Sequence, residues 1–163
     1  MRDFNLPVLL IPGLACTADL FRAQVAVLSQ ERDVMVADTG GQDSMEGLAR
    51  DILAAAAPRF ALAGLSMGGY LSFEILRQAP QRVARLALLD TAAHADTPEK
   101  TETREAAIAL MESGRYEEVC EATLDLSIAK SRHQDSALKD RIRGGCWPIS
   151  TDQLWWSSVT KTR

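Results

Sequence analysis

The first half of the chain alternates short, mainly apolar runs with longer stretches in which apolar and polar positions mix. The apolar runs predict strands at residues 7–12, 34–37, 60–63 and 83–89. Between them, apolar residues recur every three or four positions, which indicates amphipathic helices. Strands that are apolar throughout and separated by helices are typical of a parallel sheet covered on both faces. We therefore predict an α/β fold.

Local signals predict where the intervening helices begin and end. Thr17 or Asp19 can cap the first helix, because a side-chain oxygen before a helix accepts hydrogen bonds from its first N–H groups. Asp43 followed by Glu46 resembles a capping box at the start of the second helix. Pro58 ends that helix, since the residue before a proline is biased away from the helical conformation.

Beyond residue 90 the pattern becomes helical, and no strand signal occurs before residue 145. Helices are predicted at residues 98–113, 115–126 and 134–143. Gly114 separates the first two, and all three form an insertion after the fourth strand. The chain therefore divides into an α/β core at residues 1–95, a helical cap at 96–143 and an atypical tail at 144–163. All three tryptophans fall in this tail.

Composition narrows the classes of function. The chain has 163 residues, of which 47% are hydrophobic and 25% are charged, which is enough apolar material for one core. A formal net charge of −4 without a basic block argues against nucleic acid as a partner. No apolar run approaches the roughly 20 residues of a membrane span, so no membrane partner is expected.

The cysteines, Cys16, Cys120 and Cys146, are far apart and form no CxxC pair. Their odd number and spacing predict reduced thiols in a cytoplasmic protein. No histidine or positive cluster lies near Cys16 in the sequence, so we interpret it as a core or pocket-lining residue rather than a nucleophile. The sequence has no metal-ligand spacing, phosphate loop or dinucleotide fingerprint, so neither a cofactor nor a metal is expected.

One motif indicates a catalytic function. Residues 64–68 read Gly-Leu-Ser-Met-Gly and are followed by Gly69, with a predicted strand before them and a predicted helix after them. This pattern places a serine at a sharp strand-to-helix turn, where close neighbours must be glycine to avoid backbone clashes. Ser66 is therefore the candidate catalytic nucleophile. Its hydroxyl is expected to project above the carboxyl edge of the sheet, near the first N–H groups of the helix.

A second element supports this interpretation. Pro12-Gly13-Leu14 ends the first predicted strand, where a serine-based acyl-transfer site needs a backbone donor for the oxyanion. The N–H groups of Leu14 and Met67 are the candidate oxyanion hole beside Ser66. The alternative for Pro12-Gly13 is a turn with no further role.

These residues together resemble the α/β-hydrolases. Pro12-Gly13-Leu14-Ala15 is similar to the oxyanion loop of that family, residues 64–69 to its nucleophile elbow, and Leu88-Leu-Asp-Thr91 to the end of the following strand. The resemblance covers roughly residues 6–143 and implies the N-terminal part of an α/β-hydrolase fold with a helical cap. It also implies a serine hydrolase that cleaves a small-molecule carboxylic ester, or a similar acyl compound, through an acyl-serine intermediate. Many members have His-Gly at Pro12-Gly13, a difference that leaves the backbone donor possible.

The resemblance further implies two later strand–helix units, one carrying the acid of the triad and the next a Gly-His pair. This chain instead enters its tryptophan-rich tail at residues 144–163, as a truncated or frame-shifted reading would. We therefore expect the chain alone to be impaired or inactive, because serine without a base stays protonated and is a weak nucleophile. The alternative is a non-catalytic truncated fold or binding remnant.

Three residues could replace the missing triad members. Asp90, with His94 or His133, follows Ser66 in the usual chain order of nucleophile, acid and base. Asp90 ends the fourth predicted strand, where a cap or loop role is the simpler interpretation. That strand would also lack the neighbour that the family pattern places beside it, and its exposed edge predicts self-association.

Overall fold

The computed structural model describes residues 5–14 and 16–146, without the side chains of residues 116 and 144–146. Its strands are β1 (Val8–Ile11), β2 (Val34–Val36), β3 (Phe60–Leu65) and β4 (Val83–Leu89). Its α-helices are α1 (Arg22–Leu28), α2 (Met45–Ala55), α3 (Met67–Gln78), α4 (Pro98–Glu112), α5 (Tyr116–Ser127) and α6 (Ser136–Cys146). Short 3-10 helices occupy Ala18–Phe21, Pro80–Arg82 and Lys130–Arg132.

The four strands form one parallel sheet in the order β2-β1-β3-β4. This arrangement confirms the predicted α/β fold, and each predicted apolar run contains one strand. β3 runs two residues further than predicted, to Leu65, where it meets α3 almost directly. Because all strands run the same way, the loops after β1, β3 and β4 meet at one edge of the sheet.

The core lies where the sheet packs against helices α2 and α3. Strand residues alternate between its two faces, and the strongest alternation is in β3, where every second residue is buried. Helix residues spaced three or four apart complete the core. The buried side chains of this cluster include Leu9, Ile11, Leu48, Ile52, Phe60, Leu62, Leu71 and Ile75. These contacts pack β1, β3 and α3 against one another.

The first 3-10 helix and α2 begin at side-chain caps, as predicted, but one of the capping residues differs from the prediction. Thr17 caps the first 3-10 helix, since its side chain accepts a hydrogen bond from the Asp19 N–H at 3.3 Å. The cap of α2 is Ser44 and not Asp43, so the predicted capping box was wrong by one residue. Ser44 has the extended conformation of a cap, and its Oγ accepts from the Gly47 N–H at 3.1 Å.

The segment after β4 is helical, as predicted. Gly114 joins α4 to α5 with a φ of +79°, a conformation that glycine adopts without strain. Ile108 of α4 packs against the core cluster, and α6 packs against the 3-10 helix at Ala18–Phe21. Helix α6 continues to Cys146, and the rest of the predicted tail, residues 147–163, lies outside the described residues. No helix in the described ranges is long and apolar enough to cross a membrane.

Candidate active site

Ser66 occupies the junction between β3 and α3. Its φ of +52° and ψ of −112° lie in a region that L-residues rarely adopt. Such a conformation persists only where the surrounding structure imposes it, and it is concentrated at functional sites. The residue is exposed, although its neighbours on either side in α3 and β3 are largely buried. The predicted nucleophile is therefore presented to solvent on a strained turn.

Glycines allow this turn to form. A Cβ at Gly64 would lie 2.2 Å from the Gly68 carbonyl oxygen, and a Cβ at Gly68 would lie 2.3 Å from the carbonyl oxygen of Ile11. Real Cβ atoms do not approach backbone oxygens this closely. The first turn of α3 can therefore sit against β1 and β3 only with glycine at both positions. This close approach explains the G-x-S-x-G pattern in steric terms.

The end of β4 holds the turn from the other side. The Ser66 N–H donates to the Leu89 carbonyl oxygen at 2.9 Å. The Thr91 Oγ1 donates to the Ser66 carbonyl oxygen at 2.8 Å, and the Gly69 N–H donates to the same oxygen at 2.9 Å. Thr91 also lies so close to Gly69 that a Cβ there would be 2.3 Å from its Oγ1. Both backbone polar groups of Ser66 are thus satisfied while its hydroxyl remains exposed.

Thr91 was not identified from the sequence as a residue of the site. The sequence marks it only as the end of the strand that follows the elbow. Its hydrogen bond to Ser66 depends on β4 lying beside β3, which is a property of the strand order. A hydroxyl two residues after the strand that neighbours the elbow is the signal that could have found it.

The loop after β1 lies beside Ser66. A Cβ at Gly13 would be 3.7 Å from the Ser66 Cβ and 3.7 Å from the Leu65 carbonyl oxygen. Leu14 follows, half-buried and packed against the core cluster. Met67 is the first residue of α3, so its N–H is one of the helix amides without an intrahelical acceptor. The convergence of the Leu14 and Met67 N–H groups on one oxyanion stays a prediction.

Of the three candidate substitutes for the triad, Asp90 lies in the chain between Leu89 and Thr91, the two residues that bond the Ser66 backbone. Asp90 is exposed directly after β4, with a φ of +43°. One ring nitrogen of His94 lies 3.0 Å from the Ala95 carbonyl oxygen, and His133 Nε2 lies 3.0 Å from that of Ile128. Within residues 5–14 and 16–146, no hydrogen bond joins Ser66 Oγ to an imidazole or a carboxylate. In the described part of the chain, the predicted nucleophile Ser66 is therefore not bonded to a base.

A charged cluster connects α3 to α4, one turn along α3 from Ser66. Arg104 donates to Asp96 Oδ1 at 3.2 Å and to the Tyr70 hydroxyl at 3.5 Å, and its guanidinium lies 5.9 Å from the centre of the Tyr70 ring. Burial lowers the pKa of Arg104, but hydrogen bonds and attraction to Asp96 and Tyr70 outweigh it and raise that pKa overall. This cluster fixes the predicted cap against α3, the helix that begins directly after Ser66.

A metal site is not evident in the described part of the chain, where no group of three His, Cys, Asp or Glu side chains comes together in a way that could hold an ion.

No family model and no curated protein matches the chain. Several solved structures match the chain. A thermophilic esterase from Thermogutta terrifontis is 25% identical over 96% of this chain, with a TM-score of 0.73. Carboxylesterases from the thaumarchaeon Nitrososphaera gargenis (15% identity, 98% of this chain, TM-score 0.76) and an enol-lactonase from Burkholderia xenovorans (24%, 97%, 0.68) have the same fold. The chain spans only 62%, 64% and 65% of the lengths of these three structures.

Proposed function

Because the described residues form the N-terminal part of an α/β-hydrolase fold, we propose that the chain is a serine hydrolase with Ser66 as its nucleophile. The observation that carries this proposal is the strained backbone of Ser66, whose φ is +52° at an exposed strand-to-helix turn. Strain of this kind needs support from Gly64, Gly68 and the end of β4, which a purely structural turn would not require.

The chemistry is acyl transfer. Ser66 Oγ attacks the carbonyl carbon of the substrate while its proton passes to a base, and a tetrahedral oxyanion forms. The N–H groups of Leu14 and Met67 are proposed to stabilise that oxyanion, because Gly13 lies beside Ser66 and Met67 begins a helix. The carbon–oxygen bond to the alcohol then breaks and the alcohol leaves with a proton. Water cleaves the acyl-serine, releases the acid and restores the hydroxyl.

The proposed substrate class is a small-molecule carboxylic ester or a similar acyl compound. Two observations support it. The exposed Ser66 lies beside the loop after β1 and at the start of α3, an arrangement that suits attack on a carbonyl group. The similar solved structures include esterases and an enol-lactonase. A lactone is an internal ester, so all of these names describe the same bond. A cytoplasmic location is proposed from the number and spacing of the cysteines.

Turnover by this chain alone is proposed to be slow. Among the described side chains, neither imidazole is bonded to Ser66 Oγ, so deprotonation of the hydroxyl is not assisted there. Loss of triad members lowers rates by orders of magnitude but leaves the contribution of an oxyanion hole. The same observation favours the second candidate function, a non-catalytic binding remnant, and the two differ in the reactivity of Ser66.

A fluorophosphonate probe tests this difference directly. Incubation of the full chain with the probe, followed by peptide mapping in a mass spectrometer, is expected to show a phosphonyl group on Ser66. The Ser66→Ala variant is expected to lose that label. Ser113, an exposed serine on the cap, is the internal reference for a serine without activation.

The ratio of the two labelling rates decides the question. Labelling of Ser66 faster than Ser113 supports the hydrolase, even where ester turnover is too slow to detect. Equal labelling of both serines in a chain with native circular dichroism would contradict the proposal and favour the binding remnant.

A further inference from the structure

Two neighbouring strands end in backbone conformations that residues with a side chain rarely adopt. Among the described residues other than glycine, only Ser66 and Asp90 have a positive φ, at +52° and +43°. Leu65 of β3 pairs with Leu89 of β4, so Ser66 and Asp90 follow side by side at the ends of the two strands. Such conformations are costly and persist only where the surrounding structure imposes them. The strain at Ser66 is therefore accompanied by strain at the residue beside it.

We propose that Asp90 and Thr91 are positioning residues for Ser66, and that Asp90 acts through its positive φ and not through its carboxylate. The turn at Asp90 ends β4 and directs the Thr91 hydroxyl to the Ser66 carbonyl oxygen. This inference rests on the proposed role of Ser66 as the nucleophile, and it gives Asp90 a role other than that of a triad acid.

The hydrogen bonds of Ser66 show what the turn achieves. The Ser66 N–H donates to the Leu89 carbonyl oxygen at 2.9 Å, as in a regular parallel ladder. If β4 continued straight, the next bond of the ladder would run from the Thr91 N–H to the Ser66 carbonyl oxygen. In this structure the Thr91 Oγ1 donates to that oxygen, at 2.8 Å. A side chain thus holds the Ser66 carbonyl while the main chain of β4 turns away at Asp90.

The first turn of α3 restricts Thr91 from the other side. The Gly69 N–H donates to the same Ser66 carbonyl oxygen at 2.9 Å, so this oxygen accepts hydrogen bonds from two elements. A Cβ at Gly69 would lie 2.3 Å from the Thr91 Oγ1 and 2.5 Å from its Cγ2. Thr91 therefore lies directly against the backbone of Gly69. A displacement of Thr91 would disturb the turn on which Ser66 lies.

The Asp90 carboxylate takes no part in these contacts. The residue is exposed, and in the part of the chain that the structure describes no hydrogen bond or ion pair joins its side chain to another group. Aspartate and asparagine adopt a positive φ more readily than other residues with a side chain. The backbone conformation, rather than the charge, is thus what Asp90 contributes to the site.

Substitutions at Asp90 separate the backbone from the carboxylate. Asp90→Asn removes the charge and Asp90→Gly removes the side chain, but both residues tolerate a positive φ. Asp90→Val introduces a β-branched side chain, for which a positive φ is strongly disfavoured. In the full chain, a fluorophosphonate is expected to label Ser66 at least about tenfold more slowly in Asp90→Val than in the other two variants. The reason is that a misplacement of about 1 Å can cost about 100-fold in rate.

Labelling of Ser113 gives the reference rate in each variant, and circular dichroism shows whether the variant is folded. A loss of stability alone would not change the ratio of the Ser66 rate to the Ser113 rate in the folded chain. Equal ratios in Asp90→Val and Asp90→Asn overturn the proposal. A ratio in Asp90→Asn as low as that in Asp90→Val also overturns it, because the carboxylate would then be the contributing group.

A second pair of variants tests the hydroxyl and does not depend on the folding of Asp90→Val. Thr91→Val keeps the shape of the side chain and is expected to slow the labelling of Ser66 by about fivefold, the factor that corresponds to one ordinary hydrogen bond. Thr91→Ser keeps the donor and should recover most of that loss. Equal labelling rates in Thr91→Val and Thr91→Ser overturn the proposal.

Amide exchange provides a readout that needs no reactive serine. In Asp90→Val the Ser66 N–H is expected to lose protection, while the Ala61 N–H, which donates to the Pro7 carbonyl oxygen at 2.8 Å near the start of β3, should keep it. Unchanged protection of the Ser66 N–H overturns the positioning role. A parent chain in which Ser66 is labelled no faster than Ser113 contradicts the proposed function instead, and amide exchange then still decides whether Asp90 positions the turn.

Discussion

The strained Ser66 depends on a few atoms from distant parts of the chain. Gly64 and Gly68 make room for the turn, and Leu89 and Thr91 bond its backbone. The sequence identifies the glycines and the serine, because the steric need for them is local and produces a recognisable spacing. It does not identify Thr91, whose contact with Ser66 crosses 25 positions and exists only because β4 lies beside β3.

Thr91→Val is predicted to destabilise the chain by about 1 kcal/mol, because it removes one intramolecular hydrogen bond and keeps the shape of the side chain. Urea denaturation followed by circular dichroism measures this difference. Thr91→Ser is the matched control, since it retains the donor and loses only a methyl group. If Thr91→Val were as stable as the parent and Thr91→Ser were not, the threonine would contribute through packing against Gly69 rather than through its bond to Ser66.

At the scale of elements, the sequence predicts strands better than helix ends. The bounds of β4 match the prediction at Val83 and Leu89, because its run is long, apolar at every position except Arg85, and lies between polar residues. The start of α2 was predicted one residue too early, since Asp43 and Ser44 are both good caps and only the backbone decides between them. The order of the strands and the contacts between elements are not local properties, so no local pattern encodes them.

Arg82 shows how one side chain can join two elements. Its guanidinium donates to four carbonyl oxygens at or beyond the end of α2, those of Leu53, Ala56, Ala57 and Pro58, at 2.7 to 3.2 Å. It also lies 5.6 Å from the centre of the Phe60 ring. The 3-10 helix at Pro80–Arg82, which precedes β4, is thereby bonded to the end of α2 and to the loop before β3. Lysine cannot replace this arrangement, because it lacks the planar set of donors.

Arg82→Lys is therefore predicted to lower the free energy of unfolding by about 2 kcal/mol, since hydrogen bonds to charged groups contribute about 1.5–3 kcal/mol. Arg22→Lys is the matched control, an exposed arginine at the start of α1 whose change should stay within about 0.5 kcal/mol. Both values come from urea denaturation. A loss for Arg82→Lys no larger than that for Arg22→Lys would show that the helix end does not depend on the guanidinium.

At the scale of the whole molecule, the exposed β4 edge reduces the stability that the core provides. Full burial of a leucine contributes about 1.5–3 kcal/mol. Leu86, Leu88 and Leu89 each keep about two fifths of their surface exposed, so roughly 2–4 kcal/mol is not realised in one copy. This amount is a substantial part of the 5–15 kcal/mol by which ordinary domains are stable. The sequence predicts an exposed edge at the fourth strand, and the structure identifies the leucines that are exposed there.

The chain at low concentration is therefore predicted to melt below about 45 °C, the lower end of the range for mesophilic domains. Its Tm should rise with protein concentration, because association through β4 stabilises the folded state by mass action. The double variant Leu86→Lys, Leu88→Lys should melt at a temperature independent of concentration. Differential scanning calorimetry over a dilution series measures both. A cooperative melt of the dilute parent above about 60 °C would show that the β4 edge is stable without a partner strand.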